Sequence, residues 1–244
     1  MPKFNTEWKV EPHGPLESLD EGLATVAGEI RMPLGRFPRR MTVVSLDGGR
    51  SAIWSAIPVD EATLSKIESM GRIAWLIVPN PGHRLDIRAW KARYPDAKVL
   101  CAPGAREGVE KVIPVDATRG EFGDPAVQWL VVPGLAEKEA ALAIERRNRI
   151  TLVLNDILAN VQHPRGIGAN IMARAFGFGV HGPEIPSVCR RVYVKDAKAL
   201  AAWLQQWAGE SRLVRIVVSH GDVIEDRPCE VLARVASELA ASAK

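Results

Sequence analysis

Hydrophobic residues occur in this chain mainly as short continuous runs, and these runs predict the strands of a sheet protein. Apolar runs of about four to eight residues between turn signals are typical of strands buried on both faces. A β-hairpin is predicted where Asp47, Gly48 and Gly49 separate two apolar segments, because glycine accepts the backbone angles of a tight turn. The predicted strands are 41–46, 51–57, 72–79, 98–102, 127–132, 139–145, 149–154 and 212–218.

Helices are predicted where apolar residues recur at the helical period. The clearest case is 195–207, whose leucines and tryptophans lie on one face. Asp60 is a suitable N-cap for an earlier helix. The predicted helices are 60–70, 84–94, 195–207 and the C-terminal residues around 231–239. This order of elements indicates an α/β fold with sheets in the middle and helices outside.

Two segments lack a clear period. Residues 1–40 are rich in proline, glycine and charge, and we expect them to wrap the surface, with Arg36–Arg40 as a solvated basic loop. Residues 157–194 contain many glycines and prolines, which predicts an irregular or loosely helical insertion without a long regular helix. That insertion is interpreted as a lid or a subunit contact, with an ordinary surface excursion as the alternative. No linker divides the chain, so 1–244 is predicted to be a single domain.

Composition narrows the classes of partner. The chain has 244 residues, of which 47% are hydrophobic and 25% are charged, as in ordinary globular proteins. A net charge of +3 without a long basic run argues against a nucleic acid partner. No apolar run approaches the roughly 18 residues of a membrane span. Three cysteines without a CxxC pair fit a reducing cytoplasm. We therefore expect a cytoplasmic protein that binds a small-molecule substrate or ligand, with a homodimer left open.

Three side chains of metal-binding type each follow an apolar strand: His83, Asp156 and His220. Because active sites of α/β proteins gather at strand ends, where loops converge, we expect the three to surround one point. Two imidazoles and one carboxylate are sufficient to hold a catalytic metal with open positions. The alternative is that both histidines only cap helices or make structural hydrogen bonds.

Three further residues are candidates for contact with substrate. Asn80 both donates and accepts hydrogen bonds, which suits a residue that orients substrate or water; the alternative is an Asx-turn before Pro81. His181 and Arg190 lie in the irregular insertion and would bind an anionic substrate if the insertion folds over the site. Their alternative is a solvated loop.

The order of elements and the three strand-end ligands resemble the metallo-β-lactamase superfamily, and in particular a bacterial branch with a degenerate metal motif. The resemblance covers about residues 30–240 and implies two sheets packed face to face between outer helices, a four-layer αββα sandwich. The strings that carry it are Met41–Val44, Val78–Asn80 followed by His83, Tyr94–Pro95 and Ser219–Asp222.

The chain departs from the family's pattern at the first metal position. When His83 is matched to the last histidine of the His-x-His-x-Asp-His hallmark, Val78 and Asn80 occupy the two earlier histidine positions and Gly82 that of the aspartate. Leu135 stands where the family has a third metal-binding histidine. All three histidine ligands of the first metal are therefore absent, and the resemblance implies one metal at most.

What the resemblance implies about function follows from the ligands that remain. His83, Asp156 and His220 would hold one divalent metal, with zinc as the first choice and iron or manganese as alternatives, or no metal is bound. The implied enzyme is a single-metal hydrolase in which Asn80 and Asp156 take part in catalysis. The competing hypothesis is a non-catalytic protein of the same fold that binds a small molecule or a protein. An Fe(II) redox enzyme is a third option.

Overall fold

The computed structural model describes residues 4–32, 35–164 and 166–242. Six strands form the first sheet, where they follow one another in the same order as in the chain. The first four pair antiparallel, and the last two are added in parallel. These strands are β1 (His13–Asp20), β2 (Leu23–Met32), β3 (Gly35–Leu46), β4 (Arg50–Trp54), β5 (Arg72–Val78) and β6 (Lys98–Cys101).

Four strands form the second sheet in the order β10-β9-β8-β7. They are β7 (Val127–Val131), β8 (Ala140–Arg146), β9 (Arg149–Leu154) and β10 (Leu213–Val218), with β9 and β10 parallel. The helices are α1 (Glu61–Ser69), α2 (Ile87–Arg93), α3 (Arg106–Glu110), α4 (Ile167–Phe176), α5 (Ala197–Ala208) and α6 (Pro228–Ser242). Within the described ranges, no helix combines the length and the apolar character needed to cross a membrane.

The two sheets face each other across one buried cluster. Val153 of β9 and Val217 of β10 belong to the same cluster as Val43 and Ile53 of the first sheet. Alternate residues of the second sheet point the other way, because side chains alternate along a strand. Leu152 and Val218 pack there against the outer helices in a second cluster.

Helices cover both outer faces. Leu64 of α1 and Trp90 of α2 join the cluster of the first sheet, whereas Leu204 of α5 and Leu232 of α6 join that of the second. The apolar runs form these buried strands, and the periodic segments supply the helices that cover them. The predicted α/β class and the four-layer αββα sandwich are confirmed.

The prediction that residues 1–40 wrap the surface was wrong for 13–32 and 35–40, whereas 1–3, 33 and 34 lie outside the described residues. Residues 13–32 and 35–40 form β1, β2 and the first part of β3, and β2 pairs with β3 along its whole length. β1 has a weak pattern because it is the edge strand of the sheet, where little of the strand is covered. None of the residues of β1 is fully buried, so the strand lacks an apolar run.

The arginines at the end of this stretch are not in a solvated loop either. Arg39 is 8% exposed and Arg40 is 6% exposed. Arg39 forms an ion pair with the buried Asp86, while Arg40 Nε and Nη2 donate to the carbonyl oxygen of Gly221 at 3.2 and 3.0 Å. Burial lowers the pKa of Arg40. Both residues join the first sheet to loops at the strand ends.

Residues 157–194 are partly helical. They contain α4, a loop, and a single π-helical turn at Cys189–Tyr193. Gly177, with φ of 64°, ends α4 in the left-handed conformation that favours glycine. The glycines therefore limit the helix to ten residues without preventing it.

The topology brings three strand ends together. Val218 of β10 lies beside Leu154 of β9 in the parallel register, so Asp156 and His220 leave adjacent strands at the same end. The loop after β5 joins them because the N–H of Ala140 donates to the carbonyl oxygen of Pro79 at 3.1 Å. This edge of the sandwich is where the candidate ligands meet.

Gly221, directly after His220, has no room for a side chain. Its φ is 104°, and a Cβ there would lie 2.0 Å from the carbonyl oxygen of Asn160. We expect Gly221→Ala to lower the free energy of unfolding by about 3 kcal/mol or more, because backbone strain and a contact with immobile backbone add together. Urea denaturation monitored by circular dichroism measures the loss.

Gly49→Ala is the matched control. Gly49 also has a positive φ, 66°, but nothing lies within 4 Å of the position that a Cβ would take there. Only the conformational strain remains, and we expect a cost of about 1 kcal/mol. Equal losses in the two variants would show that the contact with Asn160 does not hold the strand end.

Candidate metal centre

His83, Asp156 and His220 meet at one point, as their positions after apolar strands predicted. The Nε2 atoms of His83 and His220 lie 3.1 and 3.3 Å from Asp156 Oδ1. One ligand atom from each residue lies within 4.8 Å of the others. The three side chains are 11%, 21% and 14% exposed in chain order, so the cluster is accessible without lying on the open surface.

Ser55 fixes the orientation of His83. Its Oγ lies 2.7 Å from His83 Nδ1, which leaves Nε2 directed at Asp156. Ser55 follows β4 directly and has φ of 54°, an uncommon angle for a residue other than glycine. Strain of this kind costs about 1–3 kcal/mol and persists where the surroundings enforce it. No local pattern in the sequence indicates this contact.

The carbonyl of Pro38 in β3 fixes the orientation of His220. His220 Nδ1 lies 2.8 Å from this oxygen, and because a carbonyl only accepts hydrogen bonds, Nδ1 carries a hydrogen. Nε2 is thus left to face Asp156. Burial opposes the charged imidazole, but the hydrogen bond with Asp156 and its charge prevail and raise the pKa of His220.

Asp156 carries the negative charge of the site. Burial disfavours its ionised form, yet the charge of His83 and the hydrogen bonds with both histidines outweigh burial and hold the pKa of Asp156 well below its usual value. Its second oxygen, Oδ2, accepts a hydrogen bond of 2.7 Å from Asn80 Nδ2. The carboxylate is therefore ionised and bonded on both sides.

Glu139 is a residue of the site that the sequence did not reveal. It is 2% exposed, and its Oε1 and Oε2 accept hydrogen bonds from the N–H of Asp156 at 2.9 Å and from Asn80 Nδ2 at 2.8 Å. Burial, together with the charge of Asp156, raises the pKa of Glu139 well above its usual value. In the sequence it is only the charged residue before an apolar run, and its partners become visible only in three dimensions.

Asn80 lies within the site and bonds to three of its neighbours. Its side chain is fully buried, its Nδ2 donates to Asp156 and Glu139, and its Oδ1 accepts from the N–H of Gly82 at 2.7 Å. The bond to Gly82 is the Asx-turn type of contact considered from the sequence. That Asn80 orients substrate or water stays a prediction.

His181 and Arg190 are not brought to the cluster. Both are exposed, and in the described part of the chain neither makes a hydrogen bond or ion pair with the three candidate ligands. Their exposed positions agree with the alternative considered from the sequence, that both are residues of a solvated loop. Contact with a substrate by either residue stays a prediction.

Part of the 157–194 segment does reach the site. Phe178 packs against Phe37 of β3, with ring centroids 4.6 Å apart, and both rings lie beside His220 at 5.7 and 5.5 Å. Met172 of α4 belongs to the same small cluster. The segment thus forms an apolar wall next to one candidate ligand.

The positions matched to a first metal are filled by core residues. Val78 is 1% exposed, and Asn80 and Leu135 are fully buried. In the ranges that the structure covers, the only group of three or more histidine, cysteine or acidic side chains suited to a metal is His83, Asp156 and His220. The donor set fits one divalent metal, because both imidazoles direct Nε2 at the shared carboxylate oxygen.

No family model matches the chain, and no curated protein matches it. Solved structures do. The metallo-β-lactamase VMB-1 superposes with a TM-score of 0.61 at 12% identity, covering 97% of this chain and 100% of that one. The mono-zinc form of the metallo-β-lactamase FIM-1 from Pseudomonas aeruginosa gives 0.59 at 13% identity, covering 94% and 97%.

A metallo-β-lactamase from Erythrobacter litoralis also gives a TM-score of 0.59 at 13% identity, over 94% of this chain and 96% of that one. Such likeness at low identity concerns the path of the backbone over almost the whole length. Together with the two facing sheets, the outer helices and the ligand cluster at their edge, it shows that this chain has the metallo-β-lactamase fold.

Proposed function

We propose that this protein is a single-metal hydrolase that binds one divalent ion through His83, Asp156 and His220. The observation that carries the proposal is the convergence of their ligand atoms within 4.8 Å of one another. Two imidazoles and one carboxylate are a donor set of catalytic zinc sites, and iron or manganese accepts the same donors. A metal held there supplies Lewis-acid activation of water and of a substrate carbonyl.

The chain's own residues prepare the ligands. The hydroxyl of Ser55 holds Nδ1 of His83, and the carbonyl of Pro38 accepts the Nδ1 hydrogen of His220. Partners of this kind fix the tautomer and the ring orientation of a ligating histidine. Phe37 and Phe178 exclude water beside His220 and give the substrate an apolar wall.

The second candidate function is a non-catalytic one, the binding of a small molecule or a protein. The burial of Val78, Asn80 and Leu135 favours it, because these core residues leave no ligands for a first metal. Metal binding separates the two candidates, since the hydrolase requires an ion and the binding protein does not.

Zinc binding and activity test the main proposal together. We expect purified, untagged protein to bind one zinc ion per chain, measured by elemental analysis. His83→Ala and His220→Ala should each weaken zinc binding at least 100-fold, because each variant loses one of the three ligands. The control is His163→Ala, which removes an exposed histidine outside the cluster.

Zinc-loaded protein should also hydrolyse a chromogenic ester, thioester or β-lactam, and His220→Ala should abolish that reaction. Two zinc ions per chain would contradict a single-metal site. Failure of the wild type to bind zinc, iron or manganese would leave the non-catalytic function.

Ser55→Ala tests the support of His83. Loss of the hydroxyl frees the ring to rotate, and we expect zinc affinity to fall about 10–100-fold with little change in fold. Ser51→Ala is the control, because Ser51 lies in β4, the strand that Ser55 directly follows, and its Oγ instead donates to the carbonyl oxygen of Gly71 at 3.0 Å. Isothermal titration calorimetry gives both affinities, and equal values would remove Ser55 from the site.

Phe178→Ala tests the wall formed by the 157–194 segment. Because Phe178 covers one edge of His220, its removal should expose the site, and zinc loss to excess chelator should become several-fold faster. Phe176→Ala is the control, since Phe176 lies in the same segment with 41% of its surface exposed. Equal release rates in the wild type and both variants would rule out a covering role for Phe178.

A further inference from the structure

Asn80, Glu139 and Asp156 form a closed ring of hydrogen bonds behind the two histidines. Asn80 Nδ2 donates to Asp156 Oδ2 at 2.7 Å and to Glu139 Oε2 at 2.8 Å. The N–H of Asp156 closes the ring by donating to Glu139 Oε1 at 2.9 Å. An amide NH₂ group has two hydrogens, so both donors of Asn80 are in use.

In this arrangement the two oxygens of the Asp156 carboxylate face different partners. Oδ1 lies 3.1 Å from His83 Nε2 and 3.3 Å from His220 Nε2, where the three ligand atoms converge. Oδ2 points to Asn80 instead. A carboxylate held in this way presents one oxygen to the site and keeps the other in a buried hydrogen bond.

We propose that Asn80 and Glu139 are positioning residues that reserve Oδ1 of Asp156 for one metal and withhold Oδ2 from a second. This inference rests on the proposed function, because it requires a metal at the three ligands. Asn80 also bonds to the backbone next to His83, since its Oδ1 accepts from the N–H of Gly82. Glu139 acts through Asn80 and through the backbone of Asp156, without contact with the metal.

Burial protects the hydrogen bonds of this ring from water. Asn80 is fully buried and Glu139 is 2% exposed, so water does not compete for their hydrogen bonds. The same segments are also joined by the backbone bond from Ala140 N–H to the Pro79 carbonyl. Because that bond does not involve the ring, the loop and β8 stay attached when a side chain of the ring is changed.

Glu139→Gln is the first test. It keeps the size of the side chain but replaces one acceptor oxygen with an NH₂ group, which only donates. Glutamine can therefore accept from Asn80 Nδ2 or from the Asp156 N–H, but its side-chain oxygen and nitrogen cannot accept both bonds as the two oxygens of Glu139 do. We expect zinc affinity to fall about 10–100-fold, measured by competition with a chromogenic chelator at constant pH. The control is Glu145→Gln in β8, the strand that Glu139 directly precedes, because Glu145 is 42% exposed and pairs with Arg212 outside the ring.

A second measurement separates positioning from folding. The Tm of each protein is measured without metal and with saturating zinc, and loss of positioning should shrink the increase in Tm that zinc produces. A purely structural role would instead lower both Tm values equally and leave the zinc affinity unchanged. If Glu139→Gln does not fold, Asn80→Ala provides the same comparison, since it removes two of the three hydrogen bonds of the ring.

Undiminished zinc affinity in folded Glu139→Gln or Asn80→Ala would overturn this inference alone and leave the proposed function standing. Two zinc ions bound by the wild type would overturn it as well, because Oδ2 would then not be withheld. A wild type that binds no metal would instead overturn the proposed function, and this inference with it.

Discussion

The buried negative charge of Asp156 is the constraint on which the rest of the site depends. An ionised carboxylate removed from water costs several kcal/mol unless cations and hydrogen bonds replace its hydration. Here His83 and His220 face one oxygen and Asn80 donates to the other. Asn80 and His83 come from the loop after β5 and His220 comes from the loop after β10, so the stability of one charge requires that these loops meet in a fixed arrangement.

The two sheets make that arrangement possible. β9 and β10 are adjacent and parallel, which places Asp156 and His220 at the same end of the second sheet. The first sheet contributes His83 through the loop after β5, and the buried Arg40 ties β3 to Gly221 by two hydrogen bonds. The site therefore joins the layers at an edge where hydrophobic packing alone would not fix the loops.

The sequence allowed the main strands and the three candidate ligands to be predicted, because both depend on a local signal. A continuous apolar run followed by a histidine or aspartate is visible without knowledge of the fold. β1 was missed because none of its residues is fully buried, so it shows no such run. β2 was missed although its residues 23–26 are buried, because the surrounding proline, glycine and charge obscure a short run. Glu139 and Ser55 were missed for another reason: each acts on a residue distant in the chain, and only the packing of the sheets brings them together.

The arrangement of the core explains how the candidate ligands can be held in place by the protein itself. The two large clusters lie between the sheets and beneath the outer helices, so the fold has sources of stability that do not involve the ligands. Ser55, Pro38 and Asn80 orient the ligands through hydrogen bonds formed within the protein. This differs from small zinc domains, in which metal binding and folding are one event. Under the proposed function, a pre-oriented site would lose little of its binding free energy to ordering the chain, and the geometry of the ligands would then determine how tightly an ion is held.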